Sequence, residues 1–256
     1  MKFALIGNGF IGSKHIEAIN HVGGELVALC DINPERGVEN VPFFTDYKGA
    51  IQRADHVSIA TPNDTHTEII LECARLGKKI LSEKPMTFKL NEIPLLKGVP
   101  NLFGMFQLRH LPEVNVMRKL KAKEAVLKVE MKRSQTYHDT WKGDPHRTGG
   151  LLINIGCHYF DLLGHLFGYS AFTSWSQRGE LKSEGGYESE SGVSVTWFIE
   201  LTEEKPEYER SLTIDGVKFD LVQKDNLHKK VYEDFVWGQG TTIHEEEKIL
   251  NLIYGL

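Results

Sequence analysis

MKFALIGNGFIGSKHIEAINHVGGELVALCD, residues Met1 to Asp31, places a short apolar run, Lys2 to Ile6, directly before the glycine-rich turn Gly7-Asn8-Gly9-Phe10-Ile11-Gly12. Ile11, His15, Ala18, Ile19 and Val22 then recur at helical spacing, and Glu25 to Cys30 is a second apolar run ending in Asp31. Strand, glycine turn, helix, strand, acid is the order a dinucleotide-binding unit needs. Gly7 permits a tight turn, and Gly9 lets backbone N–H groups approach a pyrophosphate. Gly12 is expected to let the helix lie close to the strand, with the helix N-terminus facing the phosphate charge. Asn8, Phe10 and Ile11 complete the turn that would line the cofactor. Asp31 lies about 20 residues beyond the glycines, where a carboxylate accepts hydrogen bonds from both adenosine ribose hydroxyls and repels a 2′-phosphate. The expected cofactor is therefore NAD rather than NADP. A strand–turn–helix that only packs would leave Asp31 unexplained.

The 256 residues suffice for one large domain or two modest ones. An apolar content of 41% and a charged content of 25% are ordinary for a soluble globular chain. A formal net charge of -5 gives no reason to expect a nucleic-acid partner. No apolar run approaches the ~20 residues of a membrane span, and the opening run leads into the glycine turn, as a strand and not a signal peptide would. Cys30, Cys73 and Cys157 are odd in number, far apart and free of CxxC pairing. Reduced thiols in a cytoplasmic protein fit this pattern, with neither a disulfide framework nor a metal site.

Beyond Asp31, Asn33 to Gly37 reads as one helical turn, Pro42 to Phe44 as a short strand, and His56 to Ala60 as a buried strand ending in Thr61-Pro62-Asn63. Asp64 or Thr65 can cap a helix whose apolar face is Ile69, Ile70, Cys73, Ala74 and Leu76, and Gly77 stops it. Lys79 to Ser82 is the next strand, with Glu83-Lys84-Pro85 at its end; Phe88 to Lys97 reads as a helix interrupted by Pro94, and Leu102 to Phe106 as a strand. Strands alternating with helices predict a doubly wound parallel sheet, whose ligands bind beyond the carboxyl ends of the strands. Gly7, Asp31, Thr61, Glu83 and Gln107 all fall at such ends.

After about residue 120 the period changes to two. Ala125 to Arg133 and Val193 to Leu201 alternate like strands, and Ser211 to Val222 reads as a hairpin turning at Asp215-Gly216. The expectation is an α/β chain: a doubly wound parallel domain over 1–121, then an α+β domain over 122–256 with a largely antiparallel, open-faced sheet. Its helices are Gly150 to Phe167 and about Thr242 to Tyr254. Ser183 to Gly192 is polar and reads as a mobile loop.

Lys84 is held at a strand end next to the expected nicotinamide site, where it can donate a hydrogen bond to a hydroxyl and stabilise charge developing on its oxygen. The opposing reading is an ordinary surface lysine. His158 lies in GGLLINIGCHYFD, four residues after Asn154 on one helix face, with Asp161 three further on. Imidazole titrates near neutral pH, so His158 can remove a hydroxyl proton while hydride leaves the same carbon; a hydrogen-bonded core histidine is the opposing reading. Thr61, Pro62, Asn63 and His66 form a third cleft element that presents N–H groups and short polar side chains to the cofactor, or else caps a helix. Tyr137, Trp141, Lys142 and Arg147 lie in a loop whose cations and aromatics suit an anionic, ring-bearing ligand, though solvated loop charges would look the same.

GNGFIG at Gly7, TPN-x-x-H from Thr61 to His66, EKP at Glu83 and GG-x-x-x-N-x-x-x-H-x-x-D from Gly149 together resemble the glucose–fructose oxidoreductase / inositol dehydrogenase / MocA family of NAD(P)-dependent sugar dehydrogenases. The resemblance spans essentially the whole chain. It implies an N-terminal Rossmann domain and puts Lys84 and His158 on either side of the nicotinamide. It also implies a homodimer or homotetramer formed through the C-terminal sheet. Within the family, GMFQLRHLP from Gly104 and WKGDPHRTGGLLINIGCHYFDLL from Trp141 look most like the UDP-N-acetylglucosaminuronate 3-dehydrogenases of bacterial surface-polysaccharide (O-antigen) synthesis. Many relatives carry aspartate where this chain has Asn154, and the sugar-nucleotide subgroup tends to carry asparagine. The implied reaction is oxidation of a sugar 3-hydroxyl, with Asn154, Tyr137, Lys142 and Arg147 on the substrate. A dehydrogenase of a free sugar or cyclitol, and a non-catalytic NAD-binding regulatory protein, are the alternatives.

Overall fold

The computed structural model describes residues 1–169, 173–202, 208–222 and 225–255. It divides into two compact units, Met1–Gln107 with Asn226–Glu246, and Leu108–Asp225 with Glu247–Leu256.

In the first unit β1 (Lys2–Ile6), β2 (Glu25–Cys30), β3 (Phe43–Phe44), β4 (His56–Ile59), β5 (Lys79–Ser82) and β6 (Leu102–Gly104) form one parallel sheet in the order β3-β2-β1-β4-β5-β6. This is the doubly wound order, and its direction reverses between β1 and β4, where such sheets open a ligand crevice. The strands are short and apolar because both faces are covered: Phe3, Ala4, Leu5, Val57, Ile59 and Leu81 are buried completely. Helix Gly12–His21 buries His15, Ala18 and Ile19, and helix His66–Arg75 buries Ile69, Ile70 and Cys73. Helix His228–Val236, absent from the expected elements, adds Val231, Tyr232 and Phe235 to a cluster with Phe3, Ile19, Leu81 and Phe103.

Two local expectations are corrected. Thr65, at the N-cap of helix His66–Arg75, does not cap it: a 3-10 turn, Asn63–Thr65, precedes the helix, and the Thr65 hydroxyl lies 2.7 Å from both Thr61 Oγ1 and the Pro62 carbonyl. Phe88 to Lys97 is not one helix, because Leu90–Glu92 is a 3-10 turn and the α-helix runs only over Ile93–Lys97. Pro94 therefore starts the helix, where its missing N–H leaves no bond unmade.

The second unit holds β7 (Glu124–Lys132), β8 (Thr173–Arg178), β9 (Lys182–Glu188), β10 (Ser194–Thr202), β11 (Glu209–Ile214) and β12 (Val217–Asp220), in the order β12-β11-β7-β10-β9-β8. Every pairing is antiparallel except β7 with β10, so the sheet is mixed. The β11–β12 hairpin turns on Asp215 and Gly216 at φ 45° and 82°, the positive values a primed turn demands. The expected loop over Ser183 to Gly192 is strand as far as Glu188. Gly185 lies opposite Trp197 in the register with β10. Helix Cys157–Phe167 covers one face of the sheet, with the Phe160 and Trp197 rings edge to face at 5.3 Å. The helix expected from Gly150 is present from Leu151, with a π-helical stretch, Leu152–Gly156, in its first turns. The other face carries a charge ladder in which Lys128 lies 3.0 Å from Glu130 and 2.7 Å from Glu209, and Lys218 lies 2.7 Å from Glu209. Among the described residues no helix is long and apolar enough to cross a membrane.

Candidate active site

Each unit carries one set of candidate side chains. In the first, Gly7 sits at φ 93°, and a Cβ there would lie 2.5 Å from the Ala60 carbonyl oxygen, so no other residue fits. A Cβ on Gly9 would meet nothing closer than Arg36 Nη1 at 3.6 Å. The turn is therefore open on the side a pyrophosphate would approach, and Phe10 is 90% exposed beside it. Gly12 does a different job from the one expected. A Cβ there would collide with Asn8 Oδ1, so Gly12 makes room for the Asn8 side chain, whose Nδ2 donates to the Arg36 carbonyl at 2.7 Å.

Asp31 is buried at the end of β2 and accepts hydrogen bonds from the Asn8 amide at 2.8 Å and the Asn33 amide at 2.9 Å. Arg36 Nη1 lies 3.2–3.3 Å from both carboxylate oxygens. Burial opposes ionisation, but the Asn33 and Asn8 amides and the Arg36 guanidinium outweigh it and hold the carboxyl below its usual range. Asp31 thus fastens the glycine turn. Arg36, five residues further on, was missed because nothing in its spacing marks it.

At the ends of β4 and β5 the side chains interlock. His66 is fully buried, with Nδ1 2.7 Å from the Pro85 carbonyl and Nε2 2.9 Å from the Thr61 carbonyl. It ties the Thr61-Pro62-Asn63 turn to the Glu83-Lys84-Pro85 segment. Burial lowers its pKa against the pull of the two carbonyls. Glu83 lies 3.3 Å from His15 Nε2 and 3.4 Å from His228 Nε2. Behind His15 stand the Tyr232 hydroxyl, 2.9 Å from Nδ1, and Ser58 Oγ, 2.5 Å from that hydroxyl. Burial opposes the Glu83 charge, yet the two imidazoles hold its carboxyl well below the usual range. The nitrogen and oxygen atoms of His15, Glu83 and His228 lie within 4.8 Å of one another, a donor set of the kind that can hold a divalent ion. Sequence spacing could not reveal a cluster drawn from residues 15, 83 and 228.

Lys84 follows Glu83, half-buried, and its bond to Pro85 is cis. Both oxygens of the fully buried Glu246 accept from the next amides, Met86 at 2.9 Å and Thr87 at 3.0 Å. At the end of β6, Gln107 Oε1 is buried with no hydrogen-bond partner among the described residues. A buried acceptor of this kind suits the carboxamide N–H of a nicotinamide. With the open glycine turn and the buried acid that follows β2, it makes the first unit fit NAD.

In the second unit, Asn154 and His158 are half-buried, one in the π-turn and the other in the helix after it. Asn154 Nδ2 donates to the Tyr137 hydroxyl at 3.1 Å. Two cations lie over the Tyr137 ring, Arg133 at 5.1 Å and Lys142 at 5.6 Å. Arg147 is half-buried on helix Pro145–Thr148. Asp161 is fully buried and paired with Arg109, whose Nε lies 2.9 Å and Nη2 2.5 Å from its oxygens.

A parallel doubly wound unit fitted to NAD, followed by an α/β unit with one covered sheet face, defines a class: nicotinamide-dependent oxidoreductases of two domains. The chain belongs to the GFO_IDH_MocA oxidoreductase family. Residues 1–97 match its NAD-binding Rossmann fold and residues 123–203 its C-terminal alpha/beta domain. Among solved structures it is similar to the WlbA (WbpB) dehydrogenase of Thermus thermophilus in complex with NAD and UDP-GlcNAcA. The identity is 30%, with 98% of this chain and 93% of that one covered and a TM-score of 0.88. Among curated proteins it is 26% identical to glucose-6-phosphate 3-dehydrogenase of Bacillus subtilis over 78% of this chain. It is 30% identical to inositol 2-dehydrogenase of Rhizobium meliloti over 66% of it. These matches span 63% and 55% of those relatives' own lengths, less than two thirds.

Proposed function

We propose that the protein is an NAD-dependent dehydrogenase that oxidises a secondary hydroxyl, at C3, of a UDP-linked N-acetylated sugar uronic acid, in the supply of surface-polysaccharide (O-antigen) sugars. The observation that carries this reading is the set of polar groups in the second unit: Tyr137 beneath two cations, with Asn154 on its hydroxyl and His158 on the following turn. A negatively charged, ring-bearing substrate suits such a surface. The relatives support the choice, since one is bound to UDP-GlcNAcA and another is named for oxidising glucose-6-phosphate at position 3.

Bound NAD+ supplies the hydride acceptor. His158 takes the hydroxyl proton on an imidazole nitrogen, Lys84 donates a hydrogen bond to the same oxygen, and Asn154 orients the sugar. With the proton on His158 and a hydride passed to the nicotinamide, the carbinol would become a ketone. The protein works in the cytoplasm as a homodimer or homotetramer built on the exposed face of the second sheet. The test is a panel of UDP-GlcNAcA, UDP-GlcNAc, glucose-6-phosphate and myo-inositol, followed by NADH absorbance. UDP-GlcNAcA is expected to exceed myo-inositol in kcat/KM by at least about 100-fold. Preference for myo-inositol would favour the cyclitol alternative, and failure of the whole panel would remove the sugar-dehydrogenase reading.

A further inference from the structure

We propose that Arg133 and Arg210 form an oxyanion receptor in the second unit, one that grips a carboxylate or phosphate of the ligand. It rests on the proposed function only in making that anion part of the sugar substrate.

Along β7, Ala125, Leu127, Val129 and Met131 are buried, and Arg133 continues the same alternation one residue past the strand end. Arg210 on β11 stands opposite Val129, so it shares that face of the sheet. Each guanidinium has its Nε buried with no hydrogen-bond partner among the described residues. The rest of Arg133 is only partly used. Its Nη1 donates to the Lys132 carbonyl at 3.1 Å, Nη2 lies 3.9 Å from Met131 Sδ, and the group lies over Tyr137. Arg210 lies over the Tyr208 ring at 6.0 Å.

Both charges act on the Tyr159 phenol. Burial drives the Tyr159 hydroxyl up to about 12 while Arg210 and Arg133 pull it down. Tyr159 is the residue after His158, and Lys142 is the third cation of the group, over the ring that Arg133 also covers. In a chain with a net charge of -5, Arg133 and Lys142 thus lie over the Tyr137 ring and Arg210 over the Tyr208 ring. Buried N–H groups without acceptors are costly, and a guanidinium meets carboxylate or phosphate through a planar fork of N–H donors. An oxyanion supplies both the charge and the acceptors that the Nε groups of Arg133 and Arg210 lack among the described residues.

The experiment is calorimetric titration of NAD-loaded protein with inorganic phosphate, glucuronate, UDP-GlcNAc and UDP-GlcNAcA, in wild type, Arg133→Met and Arg210→Met. We expect each substitution to weaken anion binding by about 10- to 100-fold. If the loss appears with UDP-GlcNAc, the diphosphate is the group held; if it appears only with glucuronate and UDP-GlcNAcA, the carboxylate is. Both results support the receptor. Should the methionine variants fail to fold, Arg133→Lys and Arg210→Lys keep the charge without the fork and are expected to show a smaller loss. Variants that melt like wild type and bind all four ligands unchanged would overturn the receptor, as would a wild type that binds none of them. The two proposals can fail separately. Loss of phosphate binding in the variants, with no sugar oxidised by wild type, keeps the receptor and removes the dehydrogenase reading. Sugar oxidation with anion binding unchanged does the reverse.

Discussion

His158→Ala is expected to lower kcat by about 10²–10⁴-fold, the range a positioned general base contributes, while NAD binds as before. The two effects separate because the residues fitted to the cofactor, from Gly7 to Gln107, lie in the first unit and His158 in the second. Lys84→Ala removes the donor proposed to stabilise charge on the substrate oxygen, and a fall of about 10²–10³-fold in kcat is expected. Steady-state NADH formation and a fluorescence titration of NAD measure the two quantities independently. Near-full activity in either variant would withdraw that residue's role. A parallel loss of NAD binding and turnover would show that the residue served the cofactor and not the chemistry.

Arg109→Met is expected to cost about 3–5 kcal/mol of stability, because it strands a buried carboxylate. Asp161 is fully buried, and Arg109, 12% exposed on its side chain, meets it through Nε and Nη2. The Tyr169 hydroxyl accepts a further bond from Nη2 at 2.9 Å. The substitution keeps much of the side-chain volume, so the lost charge pair dominates the effect. Asp161→Asn, which removes the buried charge, should cost less. Urea unfolding of the three proteins tests this order, and an Arg109→Met variant as stable as wild type would contradict it.

Much of the first unit is legible in the chain because its strands are buried on both faces and read as unbroken apolar runs. Lys2–Ile6, Glu25–Cys30 and Lys79–Ser82 follow from that pattern alone, and so does the placement of Gly7, Asp31 and Glu83 directly after them; Thr61 lies two residues beyond β4, and Gln107 opens a 3-10 turn because β6 stops at Gly104 and not at Phe106. What was missed depends on distant partners. Helix His228–Val236 makes sense only when Tyr232 meets Phe3 and His15, more than 200 residues earlier. The strand Lys182–Glu188 is polar and glycine-rich, and its pairing with β10 explains it better than its own composition does. The π-turn at Leu152–Gly156 leaves no periodic mark distinct from an α-helix, although Asn154 lies within it. Of the site, the loop cations Lys142 and Arg147 could be suspected from composition. Arg36, Arg133 and Arg210 could not, because each is defined by what it faces across the fold.

The proposed hydride transfer is tested most directly with UDP-GlcNAcA carrying deuterium at C3, mixed with NAD-loaded protein and followed by mass spectrometry of the nucleotide. The account predicts reduced cofactor one mass unit heavier than NADH, together with a 3-keto sugar. Reduced cofactor without deuterium, or a sugar returned unoxidised, would contradict it.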